Sequence, residues 1–213
     1  MTRNGVAKLI VLIIMALVSL TNLFGISAAG VSVILAIAAF FVFKKVEKQT
    51  FKECGLDFKS IGNEAKKPAL WLWILMPSVM NFLVIILAKL ILPNYIEHVV
   101  SRSALMLTVN TLPILIIQLL VFALGEEIAW RAFFQKHLQS FLPLTPTLLI
   151  SSALFSLGHL TSGSLIIVTY DVLFIFINSL FYGIIFTKTN NAWMSTISHF
   201  TANFFAVIIL FFL

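Results

Sequence analysis

The sequence is poor in charge and in cysteine, and each shortage excludes a class of protein. Only 10% of the 213 residues are charged, whereas 61% are hydrophobic, and the mean hydropathy is +1.08. This composition excludes an ordinary soluble domain. The single cysteine, Cys54, excludes an intrachain disulfide and a thiolate metal cluster. Because Cys54 falls in a polar stretch, we expect it to lie at the surface.

Long apolar runs occupy most of the chain. A bilayer crossing takes about 20 apolar residues as a helix. The runs are continuous, as in transmembrane helices, and do not alternate as the strands of a membrane barrel do. The sequence therefore predicts an all-α, polytopic transmembrane helix bundle with about seven spans, at roughly 8–25, 27–43, 69–92, 104–135, 146–161, 165–187 and 192–213.

Positive charge is concentrated in one polar loop, residues 44–68. Seven of the fourteen Lys and Arg residues lie there. The net charge of +6 is therefore not distributed over a surface that could bind nucleic acid, and we expect no nucleic-acid partner. The positive-inside rule places this loop in the cytoplasm. Counting spans from it puts the N-terminus on the same side and the connection 95–102 on the other. We therefore expect a multi-pass protein of the cell membrane.

The sequence divides into two parts, and the basic loop lies in the first. Residues 1–103 are N-terminal membrane helices whose first two spans have no charge beyond Lys8. In the C-terminal block, residues 104–213, polar residues enter the spans. The charged residues of this block are six: Glu126, Glu127, Arg131, Lys136, Asp171 and Lys188. Any chemistry in this block must rely on them and on the histidines.

Two glutamates and an arginine lie inside the apolar run LGEEIAWRAFF, residues 124–134. Each ionised group near a bilayer centre costs about 2.5–3.5 kcal/mol on insertion scales, so these charges must be compensated. Glu127 and Arg131 have i, i+4 spacing and can form an ion pair. Glu126 points away from Arg131, and a carboxylate without a cation is suited to act as a general base. The alternative is a polar cap on the fourth span at the membrane interface.

Two histidine motifs follow on later spans, FSLGH at 155–159 and HFTAN at 199–203. His199 and Asn203 share one helix face because of their i, i+4 spacing. Glu126 lies about sixteen residues before the middle of the turn FLPLTP, 141–146, and His159 lies about sixteen residues after it. An antiparallel helix pair joined by this turn therefore places the two residues at similar depth in the membrane. The last span begins at a loop on the inner side of the membrane. At a helical rise of 1.5 Å per residue, His199 lies roughly 13 Å from that side. The sequence thus predicts one intramembrane site, formed by Glu126, Glu127, His159, His199 and Asn203.

Together, the three motifs Glu126-Glu127-x-x-x-Arg131, Phe155-x-x-x-His159 and His199-x-x-x-Asn203 resemble the signature of the CPBP or Abi family. This family contains intramembrane CAAX prenyl endopeptidases and bacteriocin-processing or self-immunity proteins. The resemblance covers roughly residues 112–206. It implies an intramembrane endopeptidase that acts on a membrane-associated peptide or protein.

The resemblance also implies a role for each motif residue. Glu126 and His159 would activate a water molecule for attack on the peptide carbonyl. His199 and Asn203 would form the oxyanion hole, since a neutral imidazole and a carboxamide can both donate hydrogen bonds to developing negative charge. Glu127 and Arg131 would support this arrangement without touching the substrate.

Other interpretations of the same residues stay open. Glu126, His159 and His199 are acceptable zinc ligands, although Asn203 suits an oxyanion hole better, and we expect no cofactor. A non-catalytic self-immunity or regulatory scaffold protein could share the fold. A small transporter would use Glu126 and Asp171 as proton sites, but we find no internal repeat that would favour it. We expect Asp171 to be an interfacial or tyrosine-bonded acid. The oligomeric state stays open as well.

The Glu127–Arg131 pair leads to a first prediction. Replacing Arg131 with Ala leaves Glu127 buried without its cation, a change that typically costs about 3–5 kcal/mol. We therefore expect a lower yield of folded protein and a lower unfolding temperature in detergent. A yield and an unfolding temperature equal to those of the wild type would favour the interfacial cap.

Overall fold

The computed structural model describes residues 3–23, 26–103 and 112–212, and these form a helix bundle. Its α-helices are α1 Arg3–Ser19, α2 Ala29–Val46, α3 Phe51–Cys54, α4 Ile61–Glu64, α5 Pro68–Ile91, α6 Tyr95–Arg102, α7 Leu112–Glu127, α8 Lys136–Leu138, α9 Leu144–Leu157, α10 Leu165–Thr189 and α11 Ala192–Phe212. A 3-10 turn, Phe58–Ser60, precedes α4, and a π-helix, Ile128–Gln135, joins α7 to α8. Between α1 and α2, β1 Asn22–Leu23 pairs antiparallel with β2 Ile26–Ser27, with Asn22 opposite Ser27.

Within the described ranges, five helices are long and apolar enough to cross a membrane. They are Ala29–Val46, Pro68–Ile91, the continuous helix Leu112–Leu138, Leu165–Thr189 and Ala192–Leu210. The predicted all-α membrane bundle is confirmed. Two helices at predicted crossings are shorter, because α1 has 17 residues and α9 has 14, so the predicted seven spans correspond to five long and two short helices. The first part of the predicted fourth span, 104–111, lies outside the described residues.

The bundle is apolar outside and contains small polar residues inside. At most 39% of any candidate span is buried within the protein, so most of each apolar surface is available to lipid. Helix α11 packs against α5, α7 and α10, while α2 packs against α1 and the π-helix. Fully buried hydroxyl side chains occur at these contacts, where small residues let helices approach closely; they include Ser32, Ser151, Ser179, Thr196 and Ser198.

The polar loop 44–68 is folded. Thr50 begins α3 with a capping box, in which its hydroxyl accepts from the Glu53 amide and the Glu53 carboxylate accepts from the Thr50 amide. The expectation of a surface cysteine is wrong, because Cys54 is only 4% exposed and burial raises the pKa of its thiol. The sequence gives no signal of this burial, since the residues that cover Cys54 come from distant parts of the chain.

One buried side chain joins this loop to the turn between α10 and α11. Asn191 is 1% exposed. Its Oδ1 accepts from the Asp57 amide at 3.1 Å, and its Nδ2 donates to the Asp57 carbonyl at 2.8 Å and to Ser60 Oγ at 2.9 Å. The carboxamide thus pairs with both backbone groups of Asp57, as a neighbouring strand would. This contact fixes the loop against the start of α11, the helix that carries His199.

We predict that replacing Asn191 with Ala destabilises the fold. The substitution leaves partly buried backbone groups of Asp57 unpaired, at a typical cost of about 1–3 kcal/mol, which corresponds in a chain of this size to an unfolding temperature lower by about 2–12 °C. Thermal unfolding in detergent measures the effect. Asn63, which is exposed in the same loop, provides the matched control, because Asn63→Ala should leave the unfolding temperature unchanged. Equal temperatures for the two variants would contradict the structural role of Asn191.

Candidate active site

A buried ion pair lies where α7 becomes the π-helix. Glu127 and Arg131 are both 0% exposed, and Arg131 Nε lies 3.2 Å from Glu127 Oε2. Arg131 Nη2 donates to Ser179 Oγ on α10 at 2.8 Å, and the guanidinium lies 5.4 Å from the centre of the Phe155 ring. The predicted pair is therefore present, and it lies inside the bundle and not at its surface.

The π-helix that carries Arg131 is not apparent in the sequence. All eight of its residues, Ile128–Gln135, are buried. Gln135 is fixed by hydrogen bonds from its Nε2 to the Gly183 carbonyl at 3.0 Å and to Thr187 Oγ1 at 3.1 Å. Apolar periodicity does not distinguish the two helix types when every face is covered, and π-helical segments are frequent at functional sites.

Glu127 also orients the histidine of the third motif. His199 Nδ1 lies 3.0 Å from Glu127 Oε1, while Oε2 of the same carboxylate faces Arg131. The imidazole stacks on the Tyr182 ring, with 4.5 Å between centroids and 16° between planes. A carboxylate paired with arginine accepts hydrogen bonds, so Nδ1 of His199 donates and carries a proton. The ring is thereby held with Nε2 directed toward Glu126, whose Oε2 is 3.7 Å away.

This arrangement determines what His199 offers to a ligand. A neutral imidazole that donates from Nδ1 has a lone pair on Nε2 and can only accept there. The neutral donor expected from the sequence therefore does not follow from this geometry. Nε2 of His199 can donate only when the ring is doubly protonated, with Glu127 on one side and Glu126 on the other.

His159 lies in the turn after α9 and not within a helix as expected, because α9 ends at Leu157 with Gly158 as its C-cap. Its Nδ1 donates to the Phe155 carbonyl at 2.8 Å, which leaves Nε2 as an acceptor in the neutral ring. The Phe155 ring packs against both imidazoles, with centroid distances of 4.8 Å to His159 and 6.0 Å to His199. Phe155 thus contacts both histidines of the candidate site.

Four of the predicted site residues line one cavity of about 230 Å³: Glu126, His159, His199 and Asn203. They come from α7, the turn after α9, and α11, so the predicted convergence of three segments is present. The Glu126 side chain is 26% exposed and His199 is 7% exposed, so the carboxylate is accessible while the imidazole is enclosed. Glu127 and Arg131 are not among the lining residues and support His199 from behind.

Sequence reasoning missed several polar residues of the same cavity. Asn81 on α5 and Asn178 on α10 line it, and Asn178 Nδ2 donates to Asn81 Oδ1 at 2.7 Å. Asp171 and Arg102 line it as well. The lone amides in the apolar runs 69–92 and 165–187 were a signal of this lining, because an amide inside a span needs a polar partner.

Asp171 is enclosed by residues of α6. It is bonded to a tyrosine as expected, and the donor is Tyr95, whose hydroxyl lies 3.2 Å from Asp171 Oδ1. The His98 side chain is 10% exposed, and its Nε2 is 3.6 Å from Asp171 Oδ2. The short helix α6 explains both results, because it folds back onto α10 and buries its inward face.

The proposed zinc alternative can be tested against the donor geometry. Among the residues that the structure describes, no group of three or more His, Cys, Asp or Glu side chains has an arrangement that could hold a metal ion. Both Nδ1 atoms of the candidate histidines are engaged with protein acceptors, so each ring would offer only Nε2 to a metal. No step is assigned to zinc.

Comparison with known proteins finds one family match, in the C-terminal part of the chain. Residues 108–205 match the family model described as Type II CAAX prenyl endopeptidase Rce1-like. No curated protein and no solved structure matches the chain. The matched range contains all three motifs, from Glu126 to Asn203. The match covers just under half of the chain, and it supports the resemblance of this C-terminal block to the CPBP family of intramembrane proteases.

Proposed function

We propose that the protein is an intramembrane endopeptidase in which Glu126 activates a water molecule to hydrolyse a peptide bond of a membrane-associated peptide or protein. The observation that supports this most directly is the meeting of Glu126, His159, His199 and Asn203 at one cavity. The description of the family suggests a prenylated C-terminal substrate. We also propose that loop 44–68 and the N-terminus face the cytoplasm, in keeping with the positive-inside rule.

Water activation is assigned to Glu126 and His159. The Glu126 carboxylate accepts a proton from the water, and the resulting hydroxide attacks the carbonyl carbon of the scissile peptide. His159 Nε2 accepts a hydrogen bond from the second O–H of the water, because Nδ1 already donates to the Phe155 carbonyl. This hydrogen bond orients the lone pair of the water oxygen for attack. General-base assistance of this kind contributes about 10²–10⁴-fold to a rate.

The oxyanion is assigned to His199 and Asn203. In its doubly protonated form, His199 donates to the oxyanion from Nε2 while Nδ1 remains bonded to Glu127. Asn203 donates from its carboxamide. With Glu126 and Glu127 ionised and with Arg131 and His199 protonated, the buried charges sum to zero, so the site does not require an uncompensated charge inside the membrane. A single donor in such a site is worth about 10²–10³-fold in kcat.

Collapse of the tetrahedral intermediate completes the reaction. The protonated Glu126 transfers its proton to the leaving nitrogen as the carbon–nitrogen bond breaks. The products are a new carboxylic acid and a new amine, and one water molecule is consumed. Glu126 returns to its ionised form, so no cofactor is needed for turnover.

We predict that replacing Glu126 with Gln lowers kcat for cleavage by at least about 10³-fold, because the amide cannot accept the water proton. Purified protein in detergent or vesicles is assayed with peptides that carry a prenylated cysteine near the C-terminus. Glu97→Gln is the matched control, since Glu97 is exposed on α6, and it should retain wild-type activity. A strong chelator should leave wild-type cleavage unchanged.

Three results would contradict this mechanism in different ways. Persistent cleavage by Glu126→Gln would exclude Glu126 as the base. Loss of cleavage on chelation, restored by added zinc, would favour the metal alternative. Binding of the peptides without cleavage by the wild type would favour a self-immunity or scaffold protein of the same fold.

We predict that replacing Glu127 with Gln lowers kcat by about 10–100-fold with little change in KM, because Gln can accept from His199 Nδ1 but does not stabilise its positive charge. Ser179→Ala is the control, since it removes the second partner of Arg131 and leaves the contact between Glu127 and His199 intact. Both variants are compared per mole of folded protein. If Glu127→Gln and Ser179→Ala lose activity equally, the contact with His199 has no catalytic importance.

A further inference from the structure

Two carboxamides connect three helices beside the catalytic residues. Asn178 on α10 donates through Nδ2 to Asn81 Oδ1 on α5 at 2.7 Å. Asn81 in turn donates through Nδ2 to the Ala202 carbonyl on α11 at 3.1 Å. Both asparagines line the cavity that Glu126 lines, and the proposed reaction uses neither of them.

These hydrogen bonds can run in only one direction. The Ala202 carbonyl accepts and cannot donate, so Asn81 must present its Nδ2 to it. Asn81 then presents Oδ1 to Asn178, and Asn178 must present Nδ2 in return. Rotating the Asn178 amide by half a turn would place two oxygens against each other. The free end of the Asn178 carboxamide is therefore an acceptor, Oδ1, and not a donor.

This acceptor is buried and unused. Asn178 is 8% exposed, and its Oδ1 has no hydrogen-bond partner among the residues that the structure describes. Gln118 also has an unpaired buried oxygen, but Gln118 is not among the residues that line the cavity, whereas Asn178 is. A buried acceptor without a donor is costly. A ligand that brings a donor to Asn178 Oδ1 therefore gains affinity by doing so.

Asn178 lies close to the level at which a peptide bond would react. Tyr182, four residues later on α10, stacks on His199 with 4.5 Å between the ring centroids. Four residues correspond to about 6 Å along a helix. An extended peptide advances about 3.3–3.6 Å per residue, so 6 Å corresponds to about two of its residues. A peptide with its scissile carbonyl beside Glu126 therefore has a backbone N–H at the level of Asn178.

We propose that Asn178 Oδ1 accepts a hydrogen bond from a backbone N–H of the substrate, one or two residues from the scissile bond, and that Asn81 fixes the orientation of Asn178 for this contact. The inference rests on the proposed proteolytic function and adds the group that recognises the peptide backbone. Asn178 is a substrate-binding residue and Asn81 is a positioning residue. Neither takes part in bond cleavage.

The contact defines a class of substrate by conformation and not by sequence. Every residue except proline has a backbone N–H, so Asn178 does not select a side chain. Within a helix, each N–H is already bonded to the carbonyl four residues earlier. The segment beside Asn178 must therefore be extended, and a peptide that enters the membrane as a helix has to unwind there before it is cleaved.

The test removes one backbone N–H at a time from a substrate. The parent peptide carries a farnesylated cysteine followed by three apolar residues, and mass spectrometry of its products identifies the bond that is cleaved. In each analogue, one other peptide bond within two residues of that bond is replaced by an ester, which has no N–H. For the wild type, we expect kcat/KM to be about 10–100-fold lower for one of these esters than for the parent.

Two substitutions assign that loss to the proposed contact. In Asn178→Leu, which removes the acceptor, the sensitive ester and the parent should be cleaved within about threefold of each other. In Asn81→Leu, the Asn178 amide is free to rotate, so the loss should be intermediate. Gln118→Leu is the matched control, because it removes a buried amide with an unpaired oxygen that does not line the cavity. It should keep the full difference between ester and parent.

Equal cleavage of the parent and all esters by the wild type would overturn the proposal, and this comparison needs no variant to fold. A difference that survives in Asn178→Leu would also overturn it. A merely structural role of Asn178 would slow the parent and the esters alike and leave their ratio unchanged, which is the second of these results. A full difference in Asn81→Leu would overturn the role assigned to Asn81.

A binding measurement separates this proposal from the proteolytic function. Fluorescence anisotropy with the labelled parent and ester peptides measures affinity on the wild type and on Asn178→Leu. If the parent is not cleaved, the proteolytic function fails and all esters are compared. A 10–100-fold weaker binding of one ester, lost in Asn178→Leu, would then still support the backbone contact. Equal binding of the parent and the esters by the wild type would overturn it.

Discussion

The structure of the site depends on one buried carboxylate. Glu127 uses one oxygen for Arg131 and the other for His199, and through these it connects the π-helix to α11. Arg131 extends the connection to Ser179 on α10. Because each of these groups is buried, removing one leaves a charge without compensation. The geometry of the histidine is therefore coupled to the packing of three helices, and the same contact that stabilises the bundle directs Nε2 of His199 toward Glu126.

The remaining site residues are positioned by backbone features and not by further charges. His159 is bonded to the carbonyl four residues earlier and packs on Phe155, which is possible because α9 ends at Gly158. Asn191 fixes the start of α11 through the backbone of Asp57. The polar loop thus contributes to the site from outside the membrane-spanning helices. These supports are short-range and uncharged, so they add rigidity without the desolvation cost of additional ions.

The cavity extends beyond the four predicted site residues. Besides Glu126, His159, His199 and Asn203, its lining includes Arg102 and Asp171. Asn178 adds an acceptor to this lining that is unpaired among the described residues.

The sequence by itself determined the membrane fold, the ion pair of Glu127 with Arg131, and the convergence of the three motifs, because hydropathy, i, i+4 spacing and the proline turn at 141–146 are local properties. It did not reveal the π-helix, the burial of Cys54, or the contact between Glu127 and His199. Only the tertiary structure decided which nitrogen of His199 faces Glu127 and brought Arg102, Asp171 and Asn178 to the cavity that Glu126 lines. These features depend on which helices pack together, and α5, α6, α10 and α11 meet through contacts between residues far apart in the chain.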